Sequence, residues 1–151
     1  MRTGVRIGID VGSVRVGIAR SDATGTLAVP VQTVKRDGQI FKAVADLAQE
    51  YEALEILVGL PLGMSGQRGK AAAIASDFAA ELAPTVAPTP VKLVDERLTT
   101  VQAQRGLHDA GKTTRQSRST VDQAAAVIIV QHALDAEQRT GTPLGTTVGI
   151  I

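Results

Sequence analysis

The sequence contains no cysteine and no tryptophan. Without cysteine there is no disulfide framework and no thiolate metal site, which fits a reducing compartment. Phe41, Tyr51 and Phe78 are the only aromatic residues of the Phe/Tyr/Trp kind. That is too few for the stacking platforms on which single-strand binders lay successive bases. No apolar run is long enough to span a membrane. Arg2, Arg6 and Asp10 interrupt the region where a signal peptide needs an unbroken apolar core. A large excess of charge is missing as well: the formal net charge is only +1. The expectation is a cytoplasmic protein with no membrane partner. What is present is 151 residues with 44% hydrophobic content, enough for one domain with a substantial core.

Residues 5–11 form an apolar run that carries a single carboxylate, Asp10, and breaks at Gly12. A second apolar run follows after a tight turn at 12–15, so the pair reads as a β-hairpin. A carboxylate in such a hairpin is costly to desolvate unless it is paired or binds a metal. The simpler reading is an Asx-turn at the bend.

Residues 27–34 form a third extended run, with Pro30 marking an edge or a bulge. Phe41, Val44, Ala45, Ala48 and Tyr51 recur at helical spacing. Residues 53–60 are a short buried strand ending at Pro61. A glycine-rich loop at 62–69 opens a helix whose apolar face is Ala71, Ile74, Ala75, Phe78 and Leu82, and the segment 84–90 ends it. Residues 91–94 form another buried strand, closed by Asp95-Glu96-Arg97. Thr99 or Thr100 caps a short helix that runs to Ala110. Thr120 and Asp122 open a last apolar helix. Residues 1–138 form one domain, and 139–151 read as a flexible tail without clear period. Three adjacent strands followed by alternating helices and strands imply an α/β fold: a mixed five-stranded sheet with helices on both faces, laid out like ribonuclease H.

Three acidic positions stand apart by context. Asp10 lies in the first strand, Asp95-Glu96 at the carboxyl end of a buried strand, and Asp122 in the first turn of an apolar helix. Taken singly, Asp122 serves the helix dipole and Asp95-Glu96 pairs with Arg97. Taken together, three converging carboxylates repel one another unless a divalent cation neutralises them. Oxygen-only ligands suit Mg²⁺ or Mn²⁺, and such ions activate water against a phosphodiester. The glycines at 63, 66 and 69 lead into a helix N-terminus suited to phosphate, although the spacing is not that of a Walker A loop. His108 and His132 show no ligand pairing, and there is no nucleophile elbow.

Four stretches, in order, resemble the YqgF/RuvX family. They are Asp10-x-Gly12-x-x-Arg15-x-Gly17-x-Ala19, Val58-Gly59-Leu60-Pro61 with Gly66 and Gly69, Asp95-Glu96-Arg97-Leu98-Thr99-Thr100, and Asp122-x-Ala124-Ala125. The resemblance spans residues 5 to about 137. It implies a ribonuclease H-like fold related to the resolvase RuvC and a metal-dependent endonuclease. Two substrates go with the family: the 5′ end of precursor small-subunit rRNA, and the Holliday junction. Many ribonuclease H-like enzymes place an acid on the fourth strand, but here that strand ends in Gly59-Leu60-Pro61. The substitute then comes from the fifth strand, as Glu96 or, alternatively, Asp95.

On this reading Asp10, Glu96 and Asp122 hold Mg²⁺ or Mn²⁺ and are catalytic. Arg15, Gly66, Arg97, Lys112, Arg115 and Arg118 contact nucleic acid, either precursor rRNA or branched DNA. The last three belong to a basic loop that precedes Asp122. The protein is expected as a monomer or homodimer. Two other readings compete. Asp10-x-Gly12-Ser13 also resembles the phosphate motif of actin and sugar-kinase domains, which need two such domains around a nucleotide. The same fold could also serve as a non-catalytic RNA- or ribosome-binding module.

Overall fold

The computed structural model describes residues 1–63, 65–98 and 115–149; the side chains of 98 and 115–122 lie outside that description. The elements in chain order are β1 (Arg6–Val11), β2 (Arg15–Ser21), β3 (Ala28–Lys35), α1 (Ile40–Glu50), β4 (Glu55–Leu60), α2 (Lys70–Val86) and β5 (Val91–Asp95). A single 3-10 turn (Glu96–Leu98), α3 (Arg115–Thr140) and β6 (Thr146–Thr147) complete them. The expected helix at 99–110 lies outside the described residues.

The sheet order is β3-β2-β1-β4-β5-β6. β1, β4 and β5 are mutually parallel, while β2, β3 and β6 join antiparallel. The sheet thus has six strands rather than the five expected. Thr146 and Thr147 pair with Leu93 and Lys92 on the outer edge of β5. A two-residue strand of threonines carries no alternation that a sequence could reveal.

Alternation along the strands sorts side chains to two faces. Ile7, Ile9, Val16, Ile18, Ile56 and Val58 face one way and form the main core with Val44 of α1 and Phe78 and Leu82 of α2. The opposite face is covered by α3. Ala125, Ile129 and Ala133 pack on Leu57 and Val94, and Ala126, Val130 and Leu134 on Ala19 and Ala28. A side chain at Gly8 would overlap Val130 and come within 3.0 Å of the Ala126 carbonyl. The glycine therefore lets α3 lie directly on β1.

α3 begins by Arg115, five residues before the expected opening at Thr120. No glycine or proline interrupts residues 115–140, so the helix continues until Gly141. Arg115 and Arg118 accordingly sit on helix rather than in a loop. Pro84 lies inside the last turn of α2 rather than ending it, since the helix needs only two more residues to Val86.

A buried charge cluster closes the sheet at the start of β1. Glu137 of α3 accepts from Arg2 at 2.7 Å and from Arg6 at 3.1 Å. Glu55 pairs with Arg2 at 3.0 Å and with Lys92 at 2.9 Å. Arg6 and Glu137 are 1% and 3% exposed, so neither charge can fall back on water. The bond from Arg2 holds the Glu137 carboxyl down to about 2, against an ordinary 4.5. Its contribution to stability is complete above the ordinary glutamate range and is lost as pH falls from about 4.5 toward 2. Removing one partner of a buried pair strands the other, which costs on the order of 3–5 kcal/mol. Glu137→Ala should therefore lower urea stability by about that amount at pH 7. A loss under about 1 kcal/mol would mean the cluster behaves as a surface pair.

Candidate active site

Asp10, Gly8 and Arg6 point to the α3 face of β1, because Ile7 and Ile9 occupy the other. Asp10 pairs with Gly17 of β2 in the hairpin register and is 4% exposed. On its other side the parallel register runs Gly8 to Leu57 and Ile9 to Val58. One step further places Gly59 beside Asp10. The buried carboxylate is thus flanked on both neighbouring strands by residues without side chains.

Gly59 pairs with Val94 of β5. Just beyond β5, the chain enters the 3-10 turn at Glu96 and turns that side chain back over the sheet. A methyl group at Gly59 would collide with the Glu96 Oε1 atom and with Ile129 of α3. Glu96 is 1% exposed. Its carboxylate therefore lies over Gly59, in the strand position next to Asp10, where adjacent strands are about 4.8 Å apart. Burial, and secondarily the charge of Asp95, push the Glu96 carboxyl up to about 7.

Asp95 has a different task. Its Oδ1 accepts from the Arg97 backbone N–H at 2.9 Å, and its Oδ2 from Arg97 Nη2 at 2.7 Å. These bonds hold its carboxyl below the usual range and fasten the 3-10 turn. Of the two neighbours, Glu96 points into the site and Asp95 braces the turn that aims it.

The same bracing sets Arg97 against the glycine-rich loop, where a Cβ at Gly66 would stand 3.1 Å from Arg97 Nη1. Gly66 has φ +88°, a conformation other residues rarely adopt. The loop is closed by backbone bonds from Gly66 N to Gly63 O and from Gly63 N to Gln67 O, both 2.9 Å. Arg15 starts β2, two residues before Gly17, and so lies on the diagonal from Asp10, at roughly 7–8 Å.

α3 runs opposite to β1, since Glu137 meets Arg6 and Val130 meets Gly8. Two residues along a strand, about 6.6 Å, correspond to four or five residues of helix. The level of Asp10 is thus reached by the turn of α3 just before Ala126, which contains position 122. The Asp122 side chain lies outside the described residues, as do Lys112 and the side chains of Arg115 and Arg118. Among the described residues no three acidic or histidine side chains gather around one point. His108 is outside the description, and His132 is a half-buried residue of α3. Sequence reasoning missed the part played by Gly59, although a glycine inside an otherwise apolar strand is the usual mark of close approach.

The chain matches the model of the family described as RuvX: Holliday junction resolvase, over residues 4–136. It belongs to that family. A relative from Nocardioides is 53% identical over 98% of each chain, and one from Thermobifida fusca is 48% identical over the same shares; both carry the provisional name pre-16S rRNA nuclease. Among solved structures, Thermus thermophilus RuvC in complex with a Holliday junction superposes with a TM-score of 0.57 at 17% identity, covering 95% of this chain and 99% of that one. At that identity the likeness shows the shared ribonuclease H-like fold. As a RuvX protein, the chain keeps the α/β architecture its strand order implied, with one further edge strand.

Proposed function

We propose that this RuvX protein is a nuclease that hydrolyses phosphodiester bonds in structured nucleic acid, with precursor small-subunit rRNA as its first substrate and branched DNA as its second. The observation that carries the reading is the pair of buried carboxylates, Asp10 and Glu96, brought side by side over glycine at the carboxyl end of the parallel strands. In open α/β sheets that edge is where ligands bind.

The donor set fits a hard divalent cation. Both groups offer only oxygen, both are out of water, and burial raises the proton affinity of Glu96. Two desolvated carboxylates side by side are unfavourable without a counter-charge. Asp10 and Glu96, joined by Asp122 from α3, would hold Mg²⁺ or Mn²⁺. Such ions supply activation of water and stabilisation of the leaving oxygen.

The chain's own residues do the remainder. Arg97, locked by Asp95, presents a guanidinium beside the loop at Gly66, where a phosphate can be gripped. Arg15 offers a second cation on the diagonal from Asp10. Lys112, Arg115 and Arg118, which precede Asp122 in the sequence, would add further cations to that grip. Such phosphate contacts position a strand without reading its sequence. No helix among the described residues is long and apolar enough to cross a membrane.

The test is direct. Purified protein is incubated with Mn²⁺ and either a precursor small-subunit rRNA fragment or a four-way DNA junction. Cleavage of the RNA fragment at its 5′ side is the expected result. Cleavage of the junction alone would move the assignment to DNA, and cutting of neither would overturn it.

A further inference from the structure

We propose that the hydrogen bond from Gln123 of α3 to Thr33 of β3 is a positioning latch: it sets where the preceding helix residue, Asp122, stands against Asp10 and Glu96, and so sets the affinity for the divalent cation. The role rests on the carboxylate site of the nuclease reading above and extends it to two residues that reading does not use.

Gln123 Nε2 donates to Thr33 Oγ1 at 3.0 Å, between residues 90 positions apart. A threonine stands ready there because of an irregularity in the sheet. Ser21 pairs with Ala28 and Ala19 with Pro30, but Ile18 pairs with Gln32. Val31 is therefore an extra residue, a β-bulge, beside a proline that has no N–H for the ladder. Side chains alternate, so one extra residue reverses the facing of everything after it. Before the bulge, Ala28 faces α3 and packs with Ala126 and Val130. After it, Val34 lies opposite Val16 and packs against the main core, and Thr33 turns to the α3 side. In a regular strand Thr33 would face the main core instead. Bulges beside functional sites serve to re-aim a side chain in this way.

The bond reaches the sheet in the row that carries the site. Asp10 pairs with Gly17, and Gly17 with Thr33, so the three stand abreast on β1, β2 and β3. Thr33 is thus two strands from Asp10, about 10 Å, with only a glycine between them. On the helix side the anchor is equally close, because Gln123 follows Asp122 directly.

Apolar packing alone does not fix this end of α3. After Gln123, the first side chains buried against the sheet are those of Ala125 and Ala126. Such contacts are non-directional, so they allow a helix to rotate or slide slightly. A hydrogen bond with a narrow range of angles does not. The other polar ties lie farther along. Gln131 accepts from the Ala28 N–H at 2.9 Å and donates to the Thr26 carbonyl at 3.2 Å, about two turns beyond Gln123. Glu137 meets Arg2 and Arg6 nearer the helix end. Among the described side chains, Gln123 is the polar tie nearest to position 122. Loss of a group that orients a metal ligand weakens metal binding by roughly ten- to a hundredfold.

The test measures Mn²⁺ binding to the full chain by isothermal titration calorimetry, without nucleic acid, and single-turnover cleavage of the precursor small-subunit rRNA fragment at limiting Mn²⁺. Gln123→Ala should weaken Mn²⁺ binding about tenfold and slow cleavage in proportion, and saturating Mn²⁺ should recover most of the rate. Thr33→Val keeps the shape, removes the hydroxyl and should do the same. Thr33→Ser should bind and cut like the wild type. The double variant should lose no more than either single one, because both remove the same bond. Gln131→Ala is the control for a merely structural tie. It releases the helix from β3 at Ala28 and should lower the melting temperature at least as much as Gln123→Ala, with Mn²⁺ affinity unchanged. Wild-type Mn²⁺ affinity in Gln123→Ala or Thr33→Val would overturn the latch. An equal loss of affinity in Gln131→Ala would overturn it too, as would single losses that multiply in the double variant. A wild type that binds Mn²⁺ but cuts neither the RNA fragment nor a four-way DNA junction would bring down the nuclease reading alone. A wild type that binds no Mn²⁺ would bring down the latch whatever it cuts.

Discussion

Asp10→Asn is expected to remove cleavage by orders of magnitude while the protein stays folded. The substitution keeps the shape of the side chain and deletes its charge. Asp10 is 4% exposed and lies one strand from the Glu96 carboxylate, so losing one of two neighbouring negative charges relieves repulsion in the metal-free protein. The melting temperature should hold or rise, the usual pattern when a strained functional site is relaxed. Chemistry should fail for the same reason: a neutral amide is a poor ligand for a hard cation. Single-turnover cleavage and a thermal melt read the two effects separately. Retained binding of uncut substrate distinguishes lost chemistry from lost structure. Unchanged turnover would refute the assignment of Asp10.

Glu96→Gln should give a comparable loss of cleavage together with a pH signature of its own. The Glu96 carboxyl is raised to about 7 in the folded chain against an ordinary 4.5. The folded protein therefore holds this proton more tightly than the unfolded chain does. Stability should be greatest at low pH with respect to this group, fall as pH rises from about 4.5 to 7, and level off above. The shift corresponds to roughly 3 kcal/mol. Glu96→Gln should remove this slope and leave the metal-free protein more stable than wild type at pH 8. Adding Mn²⁺ should stabilise the wild type at that pH and do little for the variant. Asp95→Asn should weaken cleavage less, because it loosens the 3-10 turn without removing the inward carboxylate. If instead Asp95→Asn abolishes activity and Glu96→Gln preserves it, the two roles are exchanged.

Much of this arrangement can be read from residue order. The hairpin at 12–15, the buried runs of β4 and β5 and the helical spacing of Phe41, Val44 and Ala48 each follow from short-range periodicity. Asp10 and Glu96 stand out as charges at the ends of apolar runs, a local signal. Other features depend on distance or counting. The pairing of Arg2 and Arg6 with Glu137 links residues up to 135 positions apart, and no local pattern announces it. In the sequence, Arg6 is merely a charge that interrupts an apolar stretch. The facing of Thr33 hinges on whether Val31 counts as one pleat or as a bulge, and Pro30 only hints at that. The early start of α3 escapes because Arg115–Ser119 is polar all round, while apolar spacing marks only the residues from 124 onward. β6 escapes because two threonines have no period.

The charge cluster around Glu137 also determines when this chain can fold. Arg6 belongs to the first strand made by a ribosome, yet its buried counter-ion arrives only with the last helix. Until then one face of β1, β2 and β3 has no cover, and a guanidinium destined for the interior has local carbonyls, of Gly4 and Arg2, but not its Glu137 carboxylate. The hairpin can form early, because its contacts are local, but the sheet cannot be sealed until nearly the whole chain is present. Folding should therefore be late and cooperative, governed by closure of the 135-residue separation between Arg2 and Glu137. A chain cut short before residue 137 would present an open hydrophobic sheet with unpaired charges along its base, a state suited to capture by chaperones or proteases rather than to partial activity.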